Sequence, residues 1–147
     1  MADDDVADDI GVNNGFVQGD DNVLKAAIQA REAECNPKLL RENPVQALKI
    51  ALQDPPYNTR TIAVKEQSAM VAVKALLAIK EADADKALGA LSAEELDVLM
   101  KYVYRGLAMT KRDQDHYKGL LKWHPKVLAT AGPASIVRVM AEVARPL

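Results

Sequence analysis

The sequence predicts an all-α protein, with about seven helices in one domain behind a disordered acidic tail. Three observations support this. Apolar residues recur every three or four positions through most of the chain, as on the buried face of a helix. Prolines and capping residues separate these stretches. Aromatic residues make up only 4% of 147 residues, whereas sheets favour aromatic and β-branched side chains. We expect a tail over residues 1–19 and a helical core over residues 20–147.

The N-terminal segment lacks the helical pattern. Residues 1–19 contain five Asp and three Gly, and they offer too little apolar surface to form a core. Phe16 and Val17 interrupt this polarity, and Phe16 is the only phenylalanine of the chain. Two interpretations stay open for this pair. It is either a chance apolar dipeptide in a tail or a short linear motif that binds a partner.

Capping residues and prolines divide the first part of the core. Either residue of Asp20-Asp21 can cap a first helix, and Asn36-Pro37 should end it. Asn43-Pro44 is typical of an N-cap followed by the first helical residue. Asp54-Pro55-Pro56 should end this second helix, because proline has no backbone N–H to donate. The pattern therefore predicts two helices before residue 57.

The longest helix should follow. Asn58, Thr59 or Thr61 can cap its start, and its apolar stripe continues to Lys80. A short helix should come next, over residues 83–91. These assignments place the longest helix in the middle of the chain.

The last part of the core should hold three helices. Ser92 and Glu95 form the pattern of a capping box, which opens a strongly amphipathic helix. A polar loop is expected over residues 109–114. Pro125 lies inside the next helical stretch and predicts a kink or two abutting helices. Gly132-Pro133 should separate that stretch from a last helix.

Charge is distributed unevenly along the chain. The net charge is −2, yet residues 1–21 hold seven Asp and no basic residue, while residues 101–147 carry nine basic and three acidic side chains. The basic side chains are dispersed at helical spacing, without a recognised nucleic-acid motif. We therefore expect a solvated face or a face for an acidic partner, and no nucleic acid.

The sequence also lacks the residues that most active sites need. Cys35 is the only cysteine, so no intramolecular disulfide is expected. His116 and His124 lie eight residues apart and do not form a metal-ligand pattern. No nucleophile or phosphate-binding motif occurs. With no signal peptide and no apolar run of membrane-spanning length, we expect a soluble intracellular protein with no membrane span, no enzymatic activity and no cofactor.

Protein binding is the remaining class of function. Met100, Tyr102, Tyr104 and Trp123 are adaptable or amphipathic side chains, and Tyr and Trp are enriched at interfaces. Tyr102 and Tyr104 are two residues apart, so they point in different directions on a helix. Two interpretations stay open for the tyrosines. They lie at the edge of the core with their hydroxyls in water, or they contact a partner.

Three segments carry a resemblance to a known family. They are ALKIALQDPPYNTRTIAVK over residues 47–65, LDVLMKYVYRGL over residues 96–107, and LLKWHPKVLATAGPASIVRVM over residues 120–140. In order and spacing they resemble the smallest subunit, subunit 5, of the actin-related protein 2/3 complex. The resemblance extends over residues 45–147. Pro125 and the C-terminal end depart from the family pattern.

This resemblance implies a non-catalytic structural subunit that supports the nucleation of branched actin filaments. It implies a helical core held by the β-propeller subunit 1 and by subunit 4, and an acidic tail that reaches actin-related protein 2. It also implies a cytoplasmic protein of the actin cytoskeleton and of cell projections. The alternative hypotheses are a free-standing helical adaptor and a small helical enzyme. The candidate partner-binding residues are Phe16, Val17, Tyr102, Tyr104, Arg105, Trp123 and Arg138.

Overall fold

The computed structural model of the chain describes residues 19–134 and 137. Within these residues, regular structure consists of seven α-helices and one 3₁₀ turn, with no strand, which confirms the all-α prediction. The 3₁₀ turn, Glu81–Asp83, leads directly into α5. The helices are α1 (Asp21–Glu34), α2 (Pro37–Glu42), α3 (Pro44–Ala51), α4 (Ile62–Ala78), α5 (Ala84–Gly89), α6 (Ala93–Ala108) and α7 (Gln114–Ala131).

Helix α4 lies at the centre of the fold. It packs against α1, α3, α6 and α7. Its sequence, rich in Ala and Val on every side, suits this position, because a helix that is apolar all round is buried. The small side chains also let the neighbouring helices approach closely. Fully buried residues of these four helices share the core with α4, including Ile28, Leu48, Leu99 and Leu120.

The predicted helix starts are largely confirmed. The Asp20 carboxylate accepts a hydrogen bond from the backbone N–H of Asn22 at 2.8 Å. Asn43 caps α3 in the same manner, immediately before Pro44. The Ser92 and Glu95 side chains each accept a hydrogen bond from the other residue's backbone N–H, which completes the predicted capping box of α6. These caps satisfy donors that the first turn of each helix leaves unpaired.

Helix α2 was not predicted. Asn36 and Pro37 were expected only to end the first helix, but they also begin a new one. The Asn36 side chain accepts a hydrogen bond from the N–H of Leu39 at 2.9 Å, and Pro37 occupies the first turn. Proline is favoured there because its missing N–H has no partner in a first turn anyway. The dipeptide Asn36-Pro37 therefore follows the end of α1 and begins α2.

Helix α7 continues through Pro125, so the alternative of two abutting helices is wrong. Proline removes a single backbone hydrogen bond, and the packing of the helix can offset that loss. Trp123 and Val127 lie on either side of the proline and are both buried. Gly132 ends the helix with a φ of 88°, as predicted for its C-cap. Most of the last helix predicted beyond Pro133 lies outside the described residues.

The described chain starts at a fixed point on the core. The backbone N–H of Gly19 donates to the carbonyl of Asn58 at 2.5 Å. The hydroxyls of Thr61 and Thr59 both donate to the Asp21 carboxylate. These bonds hold the pKa of Asp21 below its ordinary value, the Thr61 bond having the larger effect. The described part of the chain therefore begins beside the loop that precedes α4.

Candidate partner-binding surface

Tyr102 lies in the core. Its side chain is 1% exposed, and its hydroxyl lies 2.6 Å from the Ser68 hydroxyl on α4. Burial raises the pKa of Tyr102 to about 12, although the Ser68 hydrogen bond acts in the opposite direction. Neither of the two sequence-based interpretations matches this position. The hydroxyl is not in water, and the ring has almost no surface to offer a partner.

Trp123 and Met100 are buried as well, at 6% and 0% exposure. Trp123 is on the same face of α7 as Leu120 and Val127, which are both fully buried. Amphipathic residues of these types occur in cores as well as at interfaces. In the isolated chain both side chains pack inside the core, so Trp123 is not a surface residue there.

Tyr104 is half-buried and connects two helices. Its hydroxyl shares a 2.9 Å hydrogen bond with Nε2 of His124 on α7. The two rings are also in edge-on contact, with centroids 5.3 Å apart and planes at 81°. His124 is therefore bonded to a predicted contact residue, and both side chains keep part of their surface in solvent.

Tyr104 and His124 belong to an aromatic and apolar surface that we call the α6–α7 face. Tyr117, Leu121, His124 and Leu128 follow one another at helical spacing on α7, and Tyr104 adds to them from α6. Leu121 is 59% exposed, and the other four side chains are half-buried. A surface made of partly exposed aromatic and aliphatic side chains is suited to protein contacts.

Sequence reasoning missed Tyr117 and Leu121 as candidates. Leu121 directly follows the buried Leu120 in the sequence. Successive helical residues are rotated by about 100°, so neighbours such as Leu120 and Leu121 cannot share one narrow face. Placing each residue at its angle around the helix would have separated the buried stripe from the exposed one.

A second surface consists of Arg60, Lys65 and Arg105, which we call the basic cluster. Burial lowers the pKa of Lys65, and the nearby positive charges of Arg105 and Arg60 lower it further. Arg60 is exposed and Arg105 is half-buried. Among the described residues, Nε of Arg105 is a buried donor with no hydrogen-bond partner. This cluster concentrates positive charge at the start of α4 and the end of α6.

The remaining candidate residues, Phe16, Val17 and Arg138, lie outside the described residues. Of the seven candidates, Tyr104 belongs to the α6–α7 face and Arg105 to the basic cluster.

Within residues 19–134 and 137, no three His, Cys, Asp or Glu side chains are grouped closely enough to hold a metal ion. The two histidines serve packing instead. Nε2 of His116 lies 2.8 Å from the carbonyl oxygen of Gly106, so this nitrogen carries the proton and donates. Among the described helices, none combines the length and apolar character needed to cross a bilayer.

Comparison with known proteins identifies the family. The model of the family described as "ARP2/3 complex 16 kDa subunit (p16-Arc)" matches residues 3–145. The chain belongs to the p16-Arc family. Members of this family are structural, non-catalytic subunits of the actin-related protein 2/3 complex, so the prediction that the chain is not an enzyme is confirmed.

Individual p16-Arc relatives are similar along most of their length. Actin-related protein 2/3 complex subunit 5 of Dictyostelium discoideum is 38% identical over 92% of this chain and 95% of the relative. Subunit 5-C of Xenopus laevis is 36% identical over 74% of this chain and 71% of the relative. The subunit 5-like protein of Mus musculus is 35% identical over 86% and 83%. This similarity confirms the resemblance found in the sequence.

Proposed function

We propose that this chain is the p16-Arc subunit of an actin-related protein 2/3 complex and supports the nucleation of branched actin filaments. Its core docks on the β-propeller subunit 1 and on subunit 4, and its N-terminal segment tethers actin-related protein 2. It acts in the cytoplasmic actin cytoskeleton, including cell projections. The family match over residues 3–145 is the observation that carries this proposal.

The two surfaces of the core support the docking part of the proposal. The α6–α7 face offers aromatic and apolar side chains, and the basic cluster offers positive charge for an acidic partner. The buried Nε of Arg105 also favours a partner, because a carboxylate could accept hydrogen bonds from it and from the rest of the guanidinium. A subunit that works by holding other subunits in position needs such surfaces rather than a catalytic pocket.

The N-terminal segment supports the tethering part. Gly19 and Asp21 are bonded to the loop before α4, so the segment starts from a fixed point on the core. A segment held at one end acts by raising the local concentration of whatever its other end binds. Phe16 and Val17 would supply an apolar anchor for actin-related protein 2.

Deleting residues 1–18 tests the tether. We expect lower branching activity in a pyrene-actin assay, because actin-related protein 2 would be held less firmly in its active position. Phe16→Ala with Val17→Ala should lower activity to a lesser extent. Subunit stoichiometry on a gel should stay the same, because Gly19, Asp21 and the core remain. Full activity of the truncated complex would argue against tethering, and loss of assembly would show that residues 1–18 take part in core docking.

Charge reversal at Arg105 with Arg138 tests the docking. We expect Arg105→Glu with Arg138→Glu to weaken incorporation into the complex, because a partner carboxylate would meet like charge. Far-UV circular dichroism should show an intact helical fold. The matched control is Lys118→Glu with Lys122→Glu, which changes charge equally at exposed positions of α7. Incorporation as strong as that of the control variant would mean that the two arginines are only solvated.

A further inference from the structure

A cleft of about 490 Å³ lies between α4 and the loop that leads into α7. It shares no residue with the α6–α7 face or with the basic cluster, so an inference about it does not rest on the proposed docking. Its volume falls within the range of about 300–1,000 Å³ that is usual for ligand sites. Most of the side chains that line the cleft are exposed, so it is open to solvent and has room for an extended peptide.

The floor of the cleft is apolar. Over residues 68–76 of the central helix α4, only Met70 and Lys74 are not buried. Met70, Lys74 and Leu77 are spaced by four and then three residues, so they lie along one edge of the helix. Met70 is half-buried, Leu77 is 37% exposed, and the buried Val73 completes the apolar lining. One edge of α4 therefore offers an apolar strip at the surface, and methionine adapts its shape readily to a partner.

Three cations stand around this apolar floor, namely Lys74 on α4 and Lys111 and Arg112 in the loop before α7. Their side chains are all exposed, and none of them forms an ion pair within the described part of the chain. Lys111 has a φ of 62°, in the left-handed region that residues other than glycine adopt rarely. Positive charge from two separate elements thus converges on one cleft.

Two carboxylates also line the cleft, and they limit what it can bind. The Asp113 carboxylate caps α7 by accepting a hydrogen bond from the N–H of His116 at 2.9 Å, and the partial positive charge of the helix N-terminus offsets part of its charge. Asp115 is exposed and keeps its negative charge at the surface. A ligand with negative charge alone would be repelled by Asp115 and would leave the apolar floor uncovered. The occupant therefore needs an apolar group beside its negative charges.

We infer that this cleft binds a short acidic segment of a partner protein that carries one aliphatic or aromatic side chain next to its carboxylates. The apolar side chain packs against Met70 and Leu77. The carboxylates accept hydrogen bonds from the side chains of Lys74, Lys111 and Arg112. The apolar contact supplies affinity, and the complementary charges supply specificity and orientation.

Selection from a random peptide display library on the immobilised full chain tests this inference. We expect the recovered peptides to carry one aliphatic or aromatic residue with Asp or Glu close to it in sequence. A recovered peptide, labelled with fluorescein, is then titrated with the free chain by fluorescence polarisation. Its affinity should fall as the salt concentration rises, because charges at the surface are screened by salt.

Three variants locate the binding site. Lys74→Glu with Arg112→Glu should weaken peptide binding by at least about tenfold, because the carboxylates of the peptide would meet like charge. Met70→Gln should weaken it by about threefold to tenfold, because an apolar contact is lost while the length of the side chain is kept. Lys118→Glu with Lys122→Glu changes the net charge equally at exposed positions of α7, and this matched control should leave the affinity within about twofold. If Met70→Gln loses its helical circular dichroism, the two charge variants decide, since all four of their positions are exposed.

Four results would overturn the inference. Failure to recover any binding peptide, or recovery of peptides without acidic residues, would contradict the chemistry assigned to the occupant. Equal affinity for the Lys74 and Arg112 variant and for the control would place the binding elsewhere. Binding of a short RNA oligonucleotide that depends on Lys74 and Arg112 but not on Met70 would make the cleft a general anion site. Self-association of the free chain in sedimentation, abolished by the same charge reversal, would assign the cleft to a second copy.

Discussion

Tyr102 shows how one buried polar group is accommodated at the contact of α4 and α6. Its hydroxyl lies 2.6 Å from that of Ser68, so each polar group satisfies the other inside the core. Desolvation keeps the phenol neutral well above the pH at which an exposed tyrosine ionises. The side chain that sequence analysis left open as a contact residue is therefore part of the stability of the fold.

Because Tyr102 is buried, the free energy of unfolding should vary with pH in the alkaline range. Between pH 10 and about 12 the unfolded chain loses a phenol proton that the folded chain keeps. We therefore expect the free energy of unfolding to fall as pH rises through this range. Tyr102 alone would contribute a loss of about 2–3 kcal/mol by pH 12, because each pKa unit is worth about 1.4 kcal/mol.

Urea denaturation of the wild type and of Tyr102→Phe across this pH range measures the effect. At neutral pH the variant should be less stable by about 1–3 kcal/mol, because Ser68 loses its buried partner. The difference should narrow above pH 10, since Phe cannot ionise. The lowered pKa of Lys65 adds a pH dependence of its own, but Lys65 is present in both proteins and its effect cancels in the comparison. If the free energies of unfolding of the two proteins changed in parallel with pH, Tyr102 would not be protected from ionisation.

For single residues, the sequence predicts local relations along a helix better than it predicts which side chains are buried in the fold. Tyr102 and Tyr104 were correctly expected to point in different directions, since they are two apart on a helix. Which of them is buried depends on where α4 and α7 pack, and local spacing does not contain that information. The pairing of Asp21 with Thr59 and Thr61 is hidden for the same reason, because about forty residues separate the partners.

At the scale of the helices, Gly106 sets how closely α6 approaches its neighbours. A Cβ atom added at Gly106 would lie 2.7 Å from Cδ1 of Leu120 on α7 and 3.2 Å from Cγ2 of Val73 on α4. Leu120 is fully buried, so it has little room to move away. Three helices therefore meet at a residue that has no side chain.

We expect Gly106→Ala to lower the free energy of unfolding by about 1–2 kcal/mol. Overpacking costs about 1–3 kcal/mol, and this exceeds the gain of up to about 1 kcal/mol from replacing glycine within a helix. Gly89→Ala is the matched control, because an added Cβ there meets nothing within 4 Å. It should be neutral or slightly stabilising in thermal or urea unfolding. If both variants behave alike, the junction at Gly106 is not tightly packed.

Helix boundaries were predictable where a side chain caps its own helix. The capping residues of α1, α3 and α6 all act within three positions of the sequence, so the pattern alone identifies them. Two features depended on more than local chemistry. Helix α2 was missed because Asn36-Pro37 fits both a stop and a start. The continuity of α7 across Pro125 was uncertain because its packing, not its propensity, holds the helix together.

At the scale of the molecule, the fold buries α4 and leaves two surfaces for contacts. The α6–α7 face is aromatic and apolar, and the basic cluster is positively charged. Neither contains the groups of a catalytic centre, in agreement with a family of structural subunits. The sequence predicts this family because three segments resemble the family and occur in its order. The two surfaces emerge only when α6 is placed beside α7 and beside the start of α4.

Affinity purification of the tagged full chain from its own cells, followed by mass spectrometry, tests the central claim most directly. The account predicts that the other subunits of the actin-related protein 2/3 complex are recovered in near-equal amounts with the chain. A chain that is recovered alone, or with a different set of proteins at fixed stoichiometry, would contradict it.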